Sequence, residues 1–187
     1  MKALLLILGL GAALPASAAE THYTIDPGHT YPSLEMSHMG ISTFRGKFTK
    51  TSGKITLDRE AKTGTVDVTV DAASLDFGNE KMSTSSQEKD WLDVATYPTM
   101  TYKGKLTFTG DTPSGVDGEL TLRGVTKPLK LTIESFKCVP HPLRKKEVCG
   151  ADAHAEFNRV DFGMTRVSEG PLGVIRVEIQ VEANKDD

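Results

Sequence analysis

The sequence predicts an all-β protein built from antiparallel strands that each have one apolar face. Three observations support this class. Apolar and polar residues alternate along many short segments, turn-forming residues separate these segments, and Thr, Val, Gly and Asp are frequent while long helix-forming runs are few. At 187 residues the chain has the length of one domain, and no biased linker divides it.

Residues 1–18 are predicted to be a cleaved secretory signal peptide. Lys2 provides a positive start, residues 3–14 are uninterrupted apolar residues, and Ala16-Ser17-Ala18 has the small-x-small pattern that signal peptidase recognises. An apolar stretch of this length is too short to cross a bilayer core, which needs about 20 residues. We therefore expect residues 19–187 to form a single exported domain.

Alternation along the mature chain predicts about eight or nine strands. Val66, Val68 and Val70 alternate with polar residues, as expected for a strand with one buried and one solvated face. Residues 123–126 are predicted to form a short hairpin loop that contains Gly. The same alternation recurs at 102–108, 119–123, 129–134, 151–158 and 175–182, and shorter candidate strands lie at 33–38, 44–48 and 54–58.

One segment, 82–94, lacks this alternation and predicts a helix. Ser85 stands three residues before Glu88, which is the capping-box pattern, and Trp91 follows at helical spacing. The spacing predicts a short helix over 84–94. We expect Trp91 to pack this helix against one end of the sheet.

Antiparallel strands with a single apolar face form either a two-sheet sandwich or a closed barrel. Closure removes exposed strand edges and is therefore favoured here. A barrel of about eight strands has an interior that side chains just fill or that holds one small ligand. The inward positions mix large residues such as Phe157 with small ones such as Ala151, Ala153 and Ala155. Both a hollow and a filled interior are therefore open at this point.

The two cysteines, Cys138 and Cys149, lie in one segment rich in Pro and basic residues. In an oxidising compartment the default interpretation is a disulfide. The alternative is a metal or redox site that adds His141 and His154, although this spacing matches none of the usual zinc patterns. The basic residues 144–146 are a candidate for transient contact with a membrane surface, with a solvated loop tip as the alternative.

Charge and motifs argue against two function classes. A formal net charge of −3 is unlike a nucleic-acid-binding protein, which normally has a basic face. The sequence contains neither a G-x-S-x-G nor an H-E-x-x-H motif, and no spacing sets a nucleophile beside a base. We therefore expect a binding protein rather than an enzyme.

Several motifs occur in a fixed order along nearly the whole mature chain, and the most specific is 118–129 (GELTLRGVTKPL). The others are Tyr23-Thr24-Ile25-Asp26, His38-Met39-Gly40, Gly46-Lys47-Phe48, 66–70, Asp90-Trp91-Leu92-Asp93, Tyr97-Pro98 and Cys149-Gly150-Ala151-Asp152. As an ordered set they resemble the YceI-like family of periplasmic, lipocalin-like proteins. This chain departs from the family at 82–86 (MSTSS), where many members carry an Arg/His-containing stretch.

The resemblance implies a periplasmic, antiparallel, lipocalin-like β-barrel whose apolar pore takes a long polyisoprenoid chain, such as a prenyl quinone. It implies no required metal and no cofactor. The candidate ligand-binding residues are those expected to face this pore: Leu34, Met36, His38, Val66, Val68, Met100, Tyr102, Phe108 and Phe157. His38 shares the parity of Leu34 and Met36 and is the candidate polar group near the mouth. The alternative for His38 is a core histidine bonded to a backbone carbonyl.

The leading functional hypothesis is therefore a non-catalytic carrier or scavenger of a long isoprenoid lipid. Two alternatives stay open. One is a metal or redox protein that uses the Cys138/Cys149 loop, and the other is a structural component of an envelope complex whose barrel is filled by its own side chains. A homodimer is a further candidate partner state.

Overall fold

In the computed structural model, which describes residues 20–187, eleven β-strands make up most of the chain. They are β1 (Thr21–Ile25), β2 (Tyr31–His38), β3 (Ser42–Phe48), β4 (Thr51–Asp58), β5 (Thr63–Asp71), β6 (Leu75–Asp76), β7 (Thr99–Thr109), β8 (Thr112–Leu122), β9 (Val125–Pro140), β10 (Glu147–Asn158) and β11 (Val174–Lys185). The connections include one α-helix, α1 (Glu80–Ser86), and 3-10 turns at Ala72–Ser74, Arg159–Phe162 and Gly170–Gly173. The predicted signal peptide, residues 1–18, lies outside the described residues. Among the residues that are described, no helix has the length and apolar character needed to cross a membrane.

Eight of the strands close into a barrel. Their order around the ring is β1, β4, β5, β7, β8, β9, β10 and β11, and β11 pairs again with β1. Every neighbouring pair in the ring is antiparallel. The prediction of a closed antiparallel barrel of about eight strands is confirmed. The two-sheet sandwich is excluded, because the ring returns to its first strand.

The alternation of side chains explains why the sheet closes. On β11, Ile175, Val177 and Ile179 face the interior, whereas Arg176 and Glu178 form an ion pair on the outer face. Successive side chains of a strand point to opposite faces, so each strand contributes one apolar face. Closing the ring buries all these faces together.

The remaining three strands extend the wall at one end of the barrel. β2 pairs with the first half of β11, and β1 pairs with its last residues, so two strands share one edge of β11. β3 pairs with β2, and β6 pairs with β3. We call the end that carries these strands and residues 159–173 the loop end. The opposite end, which carries Cys138 and Cys149, is the disulfide end.

The single short helix is present, but it lies nearer to the N-terminus than the predicted span of 84–94. Asn79 caps α1, because its side-chain oxygen accepts a hydrogen bond from the Met82 N–H at 3.1 Å. The Ser85 and Glu88 pair lies instead at the C-terminal end, where the Glu88 N–H donates to the Ser85 carbonyl in a turn. The predicted bounds were wrong because an Asn N-cap competes effectively with the capping-box pattern.

The turn between β8 and β9 has the predicted hairpin form. Leu122 faces Val125 in the register, so the loop contains only Arg123 and Gly124. Both loop residues have positive φ angles, 50° and 71°, as a tight hairpin turn with the twist of the flanking strands requires.

Fully buried apolar residues form a cluster at each end of the barrel, and a smaller cluster of Val116, Leu131 and Ala155 lies between them. At the loop end they are Phe48, Val70, Ala72, Leu75, Leu92, Met100, Leu122, Phe162 and Met164. At the disulfide end they are Tyr23, Ile25, Leu57, Cys149 and Ala183. Between the ends, inward residues such as Leu120, Ile133 and Ile179 are only half-buried. Inward side chains that keep accessible surface indicate open space inside the ring.

Candidate functional site

A cavity of about 260 Å³ occupies the barrel between its two packed ends. Residues from all eight ring strands and from β2 and β3 line it, and its wall consists of apolar atoms. Small inward residues on β10, including Ala151 and Ala153, lie on this wall. Of the two interiors that the sequence left open, the structure has the hollow one.

The cavity is elongated along the barrel. Its lining on β11 runs from Ile175 to Ala183, and a strand of that many residues extends about 27 Å. Strands in barrels tilt by about 40° from the axis, so the residues that line the cavity are spread over about 20 Å in the axial direction. A narrow apolar tunnel of this shape can hold an extended apolar chain, and it offers little room for a broad ligand.

The structure places seven of the nine predicted ligand-binding residues on the tunnel wall: Leu34, Met36, Val66, Val68, Met100, Tyr102 and Phe157. Phe108 packs instead beside the core of the disulfide end. His38 lies at the end of β2, where its ring stacks on Phe44 with 4.1 Å between centroids. Contact between any of these nine residues and a ligand stays a prediction.

Tyr102 shows how an inward polar group is accommodated in an apolar wall. Its hydroxyl donates to the Leu129 carbonyl at 2.8 Å, and burial raises the pKa of Tyr102 above its usual value. The ring crosses Gly118, where a Cβ atom would approach the Tyr102 hydroxyl to 2.5 Å. Gly118 therefore lets the hydroxyl bond to the sheet, which leaves an apolar ring towards the tunnel.

Cys138 and Cys149 face each other on β9 and β10 and form the predicted disulfide. The alternative metal site is not assembled. His141 accepts N–H donors of its own loop through Nδ1, and His154 lies on the outer face of β10, with Nδ1 2.9 Å from Glu134 Oε1. Both sulfurs are therefore bonded to each other, and the two histidines lie in different places, so these four residues do not form a metal site.

Next to the disulfide, a hydrogen-bonded group of polar side chains covers the end of the tunnel. Tyr23, which is 1% exposed, donates to Glu147 Oε1 at 2.6 Å, and Arg59 donates to Glu147 Oε2 at 3.1 Å. Burial, together with the bond to Glu147, raises the pKa of Tyr23 to about 12. Burial opposes ionisation of Glu147, but the Tyr23 hydrogen bond and the Arg59 charge outweigh it and hold its pKa below the usual value.

At the loop end, Arg159 and Trp91 contribute to the tunnel wall. Arg159 is 2% exposed, and its guanidinium lies 4.7 Å from the centroid of the Trp91 ring. Trp91 lies at one end of the sheet as predicted, although it follows α1 rather than belonging to it. Arg159 was not among the predicted site residues. The alternation along β10 could have predicted its position. Arg159 stands two residues after Phe157 and four after Ala155, and these two side chains point inward.

Comparisons with known proteins agree with this architecture. The model of the YceI-like domain matches residues 23–185. A UPF0312 protein of Vibrio cholerae is 31% identical over 188 residues, which cover 97% of this chain and 98% of that relative. A UPF0312 protein of Vibrio campbellii is 34% identical over 131 residues, covering 68% of this chain and 69% of the relative.

Solved structures show the same fold. The YceI protein of Campylobacter jejuni is 27% identical with a TM-score of 0.66, covering 81% of this chain and 91% of that one. A polyisoprenoid-binding domain from Saccharophagus degradans, implicated in plant cell wall breakdown, is 13% identical with a TM-score of 0.64. That alignment covers 88% of this chain and 98% of the domain. Given the family match and the full-length similarity to the Vibrio cholerae relative, this chain belongs to the YceI-like family.

Proposed function

We propose that this protein binds a long polyisoprenoid lipid of the prenyl quinone type in its tunnel and carries or sequesters it without catalysis. The observation that carries the proposal is the elongated cavity with an apolar wall. Each buried CH₂ group contributes about 0.8 kcal/mol, so a long chain is held without many polar contacts. One relative by fold is itself described as a polyisoprenoid-binding domain.

The size of the cavity favours a slender ligand. At about 260 Å³, it is slightly smaller than the range of about 300 to 1000 Å³ that is common for ligand pockets. A linear isoprenoid chain matches a tunnel that is long and narrow. A bulky or highly polar ligand matches neither its width nor its wall.

The proposed location is the bacterial periplasm, reached through cleavage of residues 1–18. Supporting this location, the disulfide between Cys138 and Cys149 is a bond typical of oxidising compartments. Amino-terminal sequencing of the protein from a periplasmic extract should begin at residue 19. A chain recovered only in the cytoplasm with Met1 intact would contradict the location.

Solvent extraction and mass spectrometry of protein purified from its native host test the ligand. We expect a co-purifying isoprenoid lipid, and binding of an added prenyl quinone after extraction. Ala151→Phe should fill part of the tunnel and reduce the bound lipid, because Ala151 lies on the wall. Thr132→Phe is the matched control, since Thr132 is exposed on β9. Absence of any lipid, together with failure to bind added quinone, would falsify the proposal.

A further inference from the structure

Arg159 is a cation at the wall of the tunnel, and its guanidinium lies just behind a lining that exposes only apolar atoms. It is the first residue of the 3-10 turn Arg159–Phe162 and is 2% exposed. Its guanidinium Nε and Nη2 donate to the Leu172 carbonyl at 3.4 Å, and Nη2 also donates to the Val167 carbonyl. One face of the guanidinium stacks on the ring of Trp91.

These contacts leave Arg159 incompletely satisfied. Nη1 is buried and has no hydrogen-bond partner. Within residues 20–187, no carboxylate lies close enough to form an ion pair with this guanidinium, and burial alone lowers its pKa. Buried cations are normally paired, and an unpaired one is costly. Carbonyl groups and an aromatic face offset part of this cost, but neither supplies a negative charge.

The two tyrosines of the tunnel wall differ from Arg159 in this respect, and Thr51, whose buried hydroxyl also lacks a partner, is neutral. Tyr102 bonds to the Leu129 carbonyl, and Tyr23 bonds to Glu147, which in turn pairs with Arg59. Arg159 is therefore the cation on the tunnel wall that lacks an anion. Its fork of donors matches the geometry of a phosphate or carboxylate group.

We propose that Arg159 anchors an anionic head group, a phosphate monoester or a carboxylate, on the lipid whose chain fills the tunnel. This inference rests on the proposed binding of an isoprenoid chain, and it favours an anionic head group over the neutral quinone. An anionic isoprenoid should bind more tightly than a neutral alcohol or quinone with the same chain. Nη1 is covered in this structure, so head-group binding displaces the neighbouring Trp91 ring or the chain at Val167.

Trp91 is the single tryptophan of the chain, so its emission reports events beside Arg159. The mature protein, after lipid extraction, is titrated with geranylgeranyl monophosphate, geranylgeranoic acid and geranylgeraniol. These probes share one chain and differ in the head group. We expect the two anionic probes to bind at least about tenfold more tightly than the alcohol, because charge-assisted hydrogen bonds strengthen binding by that order.

Variants separate recognition from folding. Arg159→Gln should remove most of the preference for anionic probes. Arg159→Lys should keep part of it, because lysine retains the positive charge but lacks the paired donors of the guanidinium group. Arg123→Gln is the matched control. Arg123 donates to the Gly163 and Lys89 carbonyls at the same end of the barrel, yet it does not line the tunnel, so its loss should leave the preference unchanged.

The outcomes distinguish this inference from the proposed function. Equal affinity of the wild-type protein for all three probes overturns the role of Arg159 and leaves lipid binding intact, even where Arg159→Gln does not fold. Failure of all three probes to bind contradicts the proposed function itself. Inorganic phosphate is titrated alone as well. If it binds as tightly as the lipid phosphate, the site recognises a free anion and the lipid-anchor proposal fails.

Discussion

At the disulfide end of the barrel the buried polar groups bond to one another, whereas at the loop end a buried guanidinium keeps one donor without a partner. Tyr23, Glu147 and Arg59 form a connected group beside the Cys138–Cys149 bond. Arg159 relies on carbonyl groups and an aromatic ring. An end of the barrel whose buried polar groups are all hydrogen-bonded resists opening, because opening would break these bonds and leave donors and acceptors unpaired. From this difference we predict that the proposed lipid enters and leaves through the loop end.

Residues other than glycine with positive φ angles occur at both ends, including Lys145 at the disulfide end, but the β-branched one among the described residues lies at the loop end. The loop end includes Val167, a β-branched residue with a φ angle of 49°, in a region that such residues strongly avoid. Strain of this kind costs on the order of 1 to 3 kcal/mol and concentrates where chains bind ligands or switch conformation. We therefore predict that the loop end opens more readily than the disulfide end.

The largest expected effect comes from removing a packed aromatic ring at the loop end. Phe162 is 2% exposed and packs edge-to-face on Phe157, so Phe162→Ala should lower the free energy of unfolding by about 3 to 5 kcal/mol. It should also speed lipid exchange, measured by transfer of bound quinone to vesicles. Leu57→Ala at the disulfide end is the comparison, with a similar loss of stability and unchanged exchange. Faster exchange in Leu57→Ala alone would reverse the assignment of the two ends.

Removing the disulfide should have the next largest effect. The double substitution Cys138→Ser and Cys149→Ser opens a loop with a sequence separation of 11, and chain entropy predicts a loss of about 3 kcal/mol in unfolding free energy. Lipid affinity should not change, because the predicted entrance of the tunnel is at the other end. Urea denaturation and quinone titration measure the two quantities. A large loss of affinity in protein that remains folded contradicts the comparison.

Tyr23 gives a pH-dependent test of the disulfide end. Its pKa is raised by burial to about 12, from the usual 10. The folded protein keeps a proton that the unfolded chain loses, so this stabilisation is present below pH 10 and is lost as the pH rises towards 12. Across that window the unfolding free energy of the wild-type protein should fall by about 2 to 3 kcal/mol more than that of Tyr23→Phe. Parallel pH profiles in urea denaturation would show that Tyr23 is not the group responsible.

Features of the fold that depend on residues close in sequence could be predicted, whereas features that depend on contacts between distant residues could not. Alternation is local, so β5 and β11 were predictable from Val66 or Ile175 and their neighbours. The position of α1 depended on which of two capping residues prevails, Asn79 or Ser85, and packing decides that choice.

The hollow interior was not predictable, because it depends on how far each inward side chain reaches across the ring. Tyr102 turns its hydroxyl into the sheet over Gly118, a contact between strands that parity does not reveal. Arg159 was missed for a related reason. Its parity was visible, but an arginine after a strand usually points to solvent, and only the tertiary structure buries it under Trp91.

The smallest expected effect on stability concerns exposed apolar residues at the two ends. Met39 and Ile41 lie in the β2–β3 hairpin at the loop end and are 62% and 76% exposed, and Leu143 at the disulfide end is 87% exposed. The double substitution Met39→Ser and Ile41→Ser should change unfolding free energy by no more than about 0.5 kcal/mol. If the loop end meets the membrane, this variant should nevertheless take up prenyl quinone from phospholipid vesicles severalfold more slowly, since exposed apolar side chains insert into the interface. Leu143→Ser is the matched control and should not slow uptake. Equal slowing by both variants would show that neither end is the specific site of membrane contact, and slowing by Leu143→Ser alone would move the entrance to the disulfide end.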